Sequence, residues 1–261
     1  MSETRKRRYV SFTVDNSLAC VFLDRPPVNA IHPEMADELG ETMDELAGLE
    51  EVWAIVITGK GRCFMGGADI RYFLDLDQES GEAYIRHIQN AYLKVGEVDR
   101  PVIAAVNGPA IGAGCGLAAA CDLRIASSRA TFCMPEAGFG ILPAYSSIRL
   151  PQIIPEGIAK ELLFTGKTID AYEALRIGLV NRVVEPGQEI KAAEDMARQI
   201  IEQAPLAIRH TKKAMNEGRE VLFAEALDRA ARRFGTCCTT QDQKEGPRAF
   251  LEKRRPEFKG R

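Results

Sequence analysis

Two apolar, largely β-branched runs constrain the fold more than any other feature of the sequence. They cover residues 52–58 (VWAIVIT) and 102–106 (VIAAV), and a glycine follows each within two residues. Such runs are typical of strands that are buried on both faces. Helical patterns over residues 33–49 and 81–98 precede them. The alternation predicts an α/β fold with crossover connections and a sheet whose faces are covered.

The N-terminal region adds a hairpin to this plan. Residues 9–14 and 18–23 have the composition of strands, and the turn-forming residues 15–17 (DNS) separate them. The basic run at residues 5–8 precedes the hairpin, and we expect it to be a solvated terminus rather than a binding arm.

Beyond the second buried run the pattern changes twice. Residues 112–120 are almost all small, which is typical of a turn leading into a tightly packed helix, and strands are expected at 122–126 and 131–132. After about residue 190 only helical patterns remain, over residues 190–203, 205–217, 221–237 and 241–254. We therefore divide the chain into an α/β core (1–190) and a helical region (191–261), and we expect that region to pack against a neighbouring subunit.

The composition excludes several classes of function. The net charge of −3 argues against nucleic acid as a partner. No apolar run reaches the ~18 residues of a membrane span, and no unbroken segment resembles a signal peptide, so we expect no membrane and a cytoplasmic location. Seven cysteines without a C-x-x-C pair suggest reduced thiols, and three scattered histidines suggest no metal site.

Two glycine-containing loops follow the two buried runs, at the edge of the sheet where α/β folds bind ligands. In the first, Gly66 and Gly67 leave the N–H of Ala68 free to point outward, and Asp69 is a candidate helix N-cap. The second, residues 107–116, has glycines at the start of a helix, where N–H groups suit a developing oxyanion. Together the loops predict two N–H donors that converge on one oxygen.

A third segment contributes a candidate base. Glu136 is a lone carboxylate among apolar and small residues, surroundings that raise the pKa of a carboxyl group and suit it to proton transfer. Tyr145 follows it as a candidate proton donor or, more simply, as part of a pocket wall, and Tyr72 and Phe73 are further candidates for that wall.

The order of these segments resembles the enoyl-CoA hydratase/isomerase (crotonase) superfamily along nearly the whole chain. The matching motifs, in order, are residues 23–31 (LDRPPVNAI), 64–70 (FMGGADI), 101–108 (PVIAAVNG), 120–126 (ACDLRIA), 134–136 (MPE), 164–166 (FTG), 173–181 (EALRIGLVN) and 250–254 (FLEKR). The resemblance implies a crotonase-like spiral of βαβ units with a helical C-terminal trimerisation region.

The resemblance also implies roles for individual residues. The backbone N–H groups of Ala68 and Ala113 would form the oxyanion hole for a thioester carbonyl, and Glu136 would be the base. The substrate-binding residues would be Val28, Ala30, Met65, Gly66, Asp69, Ile70, Tyr72, Pro135, Leu142 and Tyr145, with Phe250 and Lys253 reaching the coenzyme A site of a neighbouring subunit. No cofactor is implied, because coenzyme A arrives as part of the substrate. The expected assembly is a trimer or a dimer of trimers.

One departure from the family pattern bears on the reaction. Hydratases of this family usually carry two glutamates that hold one water, and Gly116 stands at the position of the first. A single retained glutamate resembles the 3-enoyl to 2-enoyl isomerases, so isomerisation is our preferred expectation. The alternatives are hydration, with Tyr145, Ser146 or a water in place of the missing carboxylate, and a carnitinyl-CoA-dehydratase-like lyase. Decarboxylation, thioester hydrolysis and a non-catalytic protein that binds coenzyme A or RNA also stay open.

Overall fold

The computed structural model describes residues 4–219 and 221–261 and is built around a mostly parallel sheet. The strands are β1 (Thr4–Lys6), β2 (Val10–Asp15), β3 (Leu18–Leu23), β4 (Ala54–Gly59), β5 (Val102–Val106), β6 (Ala110–Ile111), β7 (Leu123–Ser127), β8 (Thr131–Cys133), β9 (Ile169–Asp170) and β10 (Arg182–Val184). Seven of them form the main sheet, in the order β1-β2-β3-β4-β5-β7-β10. The pairings β1–β2 and β2–β3 are antiparallel, and the others in this sheet are parallel. The β2–β3 pairing confirms the predicted hairpin.

A second, three-stranded sheet joins β6, β8 and β9. The strands predicted at 122–126 and 131–132 are both present as β7 and β8, but they lie in different sheets. β8 pairs with β6, which immediately precedes the small-residue helix, and this pairing brings the segment before Glu136 beside the second glycine loop.

The helices connect and cover these strands. They are α1 (Pro33–Gly48), α2 (Gln78–Glu97), α3 (Ala113–Ala120), α4 (Ser146–Arg149), α5 (Glu156–Thr165), α6 (Ala171–Arg176), α7 (Glu189–Ile201), α8 (Pro205–Glu217), α9 (Phe223–Cys238) and α10 (Gln241–Leu251). Short 3-10 helices lie at Ile70–Asp75, Pro135–Phe139 and Leu150–Gln152. The predicted helices over 33–49 and 81–98 are therefore confirmed, as is the all-helical pattern after residue 190.

Alternation along β4 shows how both faces of the main sheet are buried. Ile55 and Ile57 belong to the larger apolar core, into which α1 and α2 pack. Val56 points to the opposite face and joins a smaller core, which Ala193 and Ala197 of α7 cover. Side chains of successive strand residues point to opposite faces, so a strand covered on both sides reads as a continuous apolar run.

The basic run at residues 5–8 is largely exposed, as expected of a solvated segment, but part of it is a paired strand and not a free terminus. Residues 4–6 form the edge strand β1, paired with β2. Arg5 and Arg7 both form ion pairs with Glu45 on α1, and Arg7 also donates a hydrogen bond to Thr42. Charged residues are common on edge strands because they discourage pairing with other chains, and this makes such strands hard to distinguish from solvated termini in the sequence.

None of the helices among the described residues is long and apolar enough to cross a membrane.

Candidate active site

The loops that follow β4 and β5 meet at the carboxyl end of the main sheet. The N–H of Ile111, in the second loop, donates a hydrogen bond of 3.0 Å to the carbonyl oxygen of Met65 in the first. A Cβ atom built on Gly114 would lie only 2.0 Å from that same oxygen. Glycine at position 114 is therefore what allows the first turn of α3 to approach the first loop so closely.

The N–H groups of Ala68, in the first loop, and Ala113, in the second, donate no hydrogen bond within the described part of the chain. One neighbour of each is bonded: Asp69 donates to Ile31 at 2.8 Å, and Gly112 donates to Cys133 at 2.7 Å. Ala113 is the first residue of α3, where the helix dipole is positive. Both alanines line one cavity, an arrangement suited to stabilising a negatively charged oxygen.

The start of α3 is tied to α2 by Tyr92. Its hydroxyl donates a hydrogen bond of 2.7 Å to the carbonyl oxygen of Ala113 and lies 3.6 Å from the sulfur of Met65. Tyr92 is fully buried, and its ring packs edge-on against Tyr145 with the ring centres 5.3 Å apart. One side chain thus contacts residues of both glycine loops.

Glu136 lines the same cavity, in the first turn of the 3-10 helix Pro135–Phe139. Its carboxylate packs over Gly112, where a Cβ atom would be 2.7 Å from Oε1. Oε2 is enclosed and has no hydrogen-bond partner among the described residues. Burial raises the pKa of Glu136 above the ordinary value for a glutamic acid. A carboxylate of this kind can accept a proton and return it in the same reaction.

The cavity between these groups has a volume of about 850 Å³. Its wall is mainly apolar and includes Phe73, Leu76, Ile85 and Ile88. Such a lining suits the acyl part of a substrate, with the few polar groups fixing its orientation.

Glu136 differs from the other two carboxylates that line the cavity. Asp77 caps α2 by accepting a hydrogen bond of 2.8 Å from the N–H of Ser80, which helps to lower the pKa of that carboxyl group. Glu82 forms an ion pair with Arg86 on the exposed side of α2. Among the described lining residues, Glu136 is therefore the carboxylate that has no hydrogen-bond or ion-pair partner and is free to take part in a reaction.

Gly116 lines the cavity, but its Cβ position is crowded by neighbouring side chains. A Cβ atom there would lie 3.1 Å from Ser146 Oγ, 3.3 Å from Tyr92 Cε2 and 3.8 Å from Tyr145 Cδ1. A longer side chain at position 116 would have to displace these groups. The missing first glutamate is thus matched by a tyrosine and a serine that occupy its volume.

The predicted substrate-binding residues divide into two groups. Leu142 and Tyr145 line the cavity, as do the three predicted catalytic residues. The predicted residues outside the lining are Val28, Ala30, Met65, Gly66, Asp69, Ile70, Tyr72, Pro135 and Lys253. Ile70, Tyr72 and Lys253 are exposed, whereas Met65 is buried beneath the loops. The side chain of Phe250 lies outside the described residues.

Asp69 shows how the first loop is held. Its buried carboxylate forms ion pairs with Arg25 at 2.7 Å and with Arg71 at 2.6 Å, and hydrogen bonds from these arginines hold the pKa of Asp69 well below its usual range. Arg25 also donates to the carbonyl oxygen of Ala30 at 2.7 Å. The carboxylate of Asp69 thus anchors residues 25–31 against the first glycine loop.

The sequence does not predict that α2 forms part of the cavity wall. Tyr84, Ile88 and Tyr92 lie four residues apart on one face of α2 and line the cavity, together with Ile85. That spacing is visible in the sequence, but it equally describes a face packed into the core. Only the position of α2 beside α3 distinguishes the two.

Among the described residues, no group of three or more His, Cys, Asp or Glu side chains is placed to hold a metal ion.

Comparison with known proteins agrees with this geometry. The family model described as Enoyl-CoA hydratase/isomerase matches residues 13–261. The chain belongs to the enoyl-CoA hydratase/isomerase family. A short-chain-enoyl-CoA hydratase of Clostridium acetobutylicum is 39% identical over 251 residues, which cover 95% of this chain and 96% of that protein. A crotonyl-CoA hydratase of Syntrophomonas wolfei is 40% identical over 247 residues, with 94% and 95% covered.

Solved structures support the same assignment. The crystal structure of an enoyl-CoA hydratase from Bacillus anthracis matches with a TM-score of 0.93 and 31% identity, covering 97% of this chain and all of that one. The crotonase-like fold with a helical C-terminal region and the assignment as an enzyme are therefore confirmed. Within the enoyl-CoA hydratase/isomerase family, the names of these relatives favour hydration over the isomerisation that we preferred from the sequence.

Proposed function

We propose that this protein is an enoyl-CoA hydratase in which Glu136 moves the proton and the N–H groups of Ala68 and Ala113 hold the thioester oxygen. The observation that carries the proposal is the unpartnered, partly buried carboxylate of Glu136 in the same cavity as two free N–H groups. The relatives that are about 40% identical and named hydratases support the choice of reaction.

The proposed reaction proceeds through an enolate. Glu136 takes a proton from water while the water oxygen bonds to the β carbon of the enoyl thioester. The electron pair of the double bond moves toward the carbonyl, whose oxygen becomes negative and accepts hydrogen bonds from Ala68 and Ala113. Glu136 then returns its proton to the α carbon, which completes the addition of water. Because burial raises its pKa, Glu136 is a stronger base toward the proton of the water than an exposed glutamate would be.

The test is a turnover assay with 2-enoyl-CoA and 3-enoyl-CoA substrates side by side. Glu136→Gln should abolish hydration. Glu156→Gln is the matched control, because Glu156 is an exposed residue that pairs with Lys160 outside the cavity. The Glu156→Gln variant should be as active as the unaltered protein. Hydration that survives Glu136→Gln would refute the assignment of the base.

A second candidate, 3-enoyl to 2-enoyl isomerisation, is favoured by one observation. Gly116 provides no second carboxylate, and an isomerase needs only one base, which removes a proton at the α carbon and returns it at the γ carbon. Conversion of 3-enoyl-CoA without hydration of 2-enoyl-CoA would select this candidate.

We also propose that the region 191–261 assembles the protein into a trimer or a dimer of trimers. Exposed apolar side chains in and beside its helices support this: Met215, Leu222, Phe234 and Leu251 are each more than 60% exposed in the single chain. Sedimentation of the purified protein tests it, and a monomer at micromolar concentration would refute it.

A further inference from the structure

We propose that the hydroxyl of Ser146 binds the reacting water opposite Glu136, and so takes over the role that a carboxylate at position 116 would have. This inference rests on the proposed hydratase activity and assigns to it a further residue at the reacting atoms.

The position of Ser146 supports this role. The residue is 3% exposed, yet its hydroxyl makes no hydrogen bond with the described part of the chain. It lines the same cavity as Glu136, Ala68 and Ala113. A hydroxyl that lines a cavity and has no partner in the protein is free to hydrogen-bond to what the cavity holds. A water or substrate atom in the cavity would supply that partner.

Ser146 and Glu136 both lie beside the start of α3, each next to a different glycine. Oε1 of Glu136 would lie 2.7 Å from a Cβ atom on Gly112, and Oγ of Ser146 would lie 3.1 Å from one on Gly116. Gly116 donates a hydrogen bond of 3.0 Å to Gly112, so the two glycines are one helical turn apart, on the order of 6 Å. In the proposed arrangement one water lies between the two side chains and hydrogen-bonds to both.

The chemical role follows from what a hydroxyl can do. Ser146 cannot serve as the base, because its hydroxyl stays protonated at neutral pH. It can accept a hydrogen bond from one O–H of the water, which leaves the other O–H directed at Glu136 and an oxygen lone pair directed at the β carbon. Glu136 then takes the only proton that moves, so the balance of the hydration reaction is unchanged.

Neighbouring residues explain why this position is held by serine. Ser146 Oγ and the ring of Tyr92 are the tight contacts of a Cβ atom at position 116, at 3.1 and 3.3 Å, so a side chain there would have to displace one of them. Ser146 thus brings a hydroxyl to the place where a side chain at position 116 would begin. Ser147, the next residue, instead donates to the carbonyl oxygen of Pro143 at 2.9 Å and does not line the cavity.

The experiment compares two reactions in Ser146→Ala, with Ser147→Ala as the matched control. The first reaction is hydration of a 2-enoyl-CoA. The second is exchange of solvent deuterium into the α carbon of a saturated acyl-CoA, which needs Glu136 and the oxyanion hole but no added water. Ser146→Ala should lower kcat for hydration about tenfold, the effect of one lost hydrogen bond, with little change in KM or in the exchange rate. Ser147→Ala should leave both reactions unchanged.

A second variant keeps the test independent of the folding of the first. In Gly116→Ala the new methyl group presses on Ser146 Oγ and should lower hydration more than exchange. Equal losses in both reactions, or full hydration by Ser146→Ala, would overturn the role of Ser146 while leaving the hydratase proposal intact. If the unaltered protein exchanges deuterium but hydrates nothing, the proposed function itself fails, and the role of Ser146 fails with it.

Discussion

Gly114→Ala should damage the oxyanion hole without touching a side chain that takes part in the reaction. The added Cβ would lie 2.0 Å from the carbonyl oxygen of Met65 and 3.0 Å from Met65 Cβ. Because a Cβ atom is essentially never found within 3.0 Å of such an atom, α3 and the first loop must separate by at least 1 Å. The obstacle is backbone on both sides, so no side-chain rotation relieves it.

That separation gives the expected magnitudes. Ala113 precedes Gly114 and Ala68 follows Met65 by three residues, so the distance between the two N–H donors changes with it. A displacement of about 1 Å at a reacting centre can lower kcat on the order of a hundredfold. Overpacking of this kind also lowers the free energy of unfolding by about 1–3 kcal/mol. The expected loss is larger in kcat than in substrate affinity, because the oxyanion contacts strengthen in the transition state.

The assay combines steady-state turnover of a 2-enoyl-CoA with urea unfolding of the same preparations. Gly157→Ala is the matched control, because no atom lies within 4 Å of a Cβ built on this helical glycine. It should keep full activity and become more stable by up to about 1 kcal/mol, since alanine favours a helix over glycine. If Gly114→Ala turned over like the unaltered protein, the contact between the two loops would not control the oxyanion hole.

Three further outcomes are expected. Burial raises the pKa of Glu136 in the folded state above its unfolded value, so ionisation of Glu136 lowers the stability of the folded protein as pH rises through the unfolded pKa. Glu136→Gln removes this ionisation and should be more stable than the unaltered protein at pH 7. Urea titrations should show this gain disappearing below about pH 4, where the carboxyl group is protonated in both states. Tyr92→Phe loses the 2.7 Å hydrogen bond to Ala113, so its free energy of unfolding should fall by about 1 kcal/mol and kcat should decrease as well, while equal values for both would contradict a positioning role. Asp69→Asn leaves Arg25 without its buried partner, which should cost about 3 kcal/mol at neutral pH in thermal or urea unfolding. Because the folded-state pKa of Asp69 is depressed, this deficit should shrink as pH falls below the unfolded pKa, and a deficit independent of pH would refute the ion-pair explanation.

Local patterns account for the parts of the fold that the sequence predicts. The β2–β3 hairpin, α1, α2, β4 and β5 follow from apolar periodicity and turn residues within one segment. The small sheet does not, because its pairs join residues far apart in the chain, such as Phe132 with Ile169. The strand β1 is missed for a related reason, since the contact between Arg7 and Glu45 that holds it spans 38 residues.

The candidate site divides along the same line. The two glycine loops and Glu136 are identified from short segments, because close backbone approach requires glycine and a lone carboxylate among apolar residues stands out. The pairing of Asp69 with Arg25 spans 44 residues, and nothing in either segment points to it. The cavity wall on α2 is likewise set by how α2 packs beside α3. Sequence therefore indicates the candidate groups for the proposed chemistry better than it indicates what holds them in place.

Three carboxylates near the loops illustrate how surroundings decide the use of one functional group. Asp69 is neutralised by two arginines and serves to anchor a loop, and Asp77 accepts backbone and side-chain hydrogen bonds and serves to begin a helix. Both have lowered pKa values, and both are fixed as acceptors. Glu136 has neither cation nor cap, and burial raises its pKa instead. In the proposed reaction the base takes a proton and then returns it, and a partner that held Glu136 permanently in its charged form would oppose the first step. The missing partner costs stability but suits the proposed role.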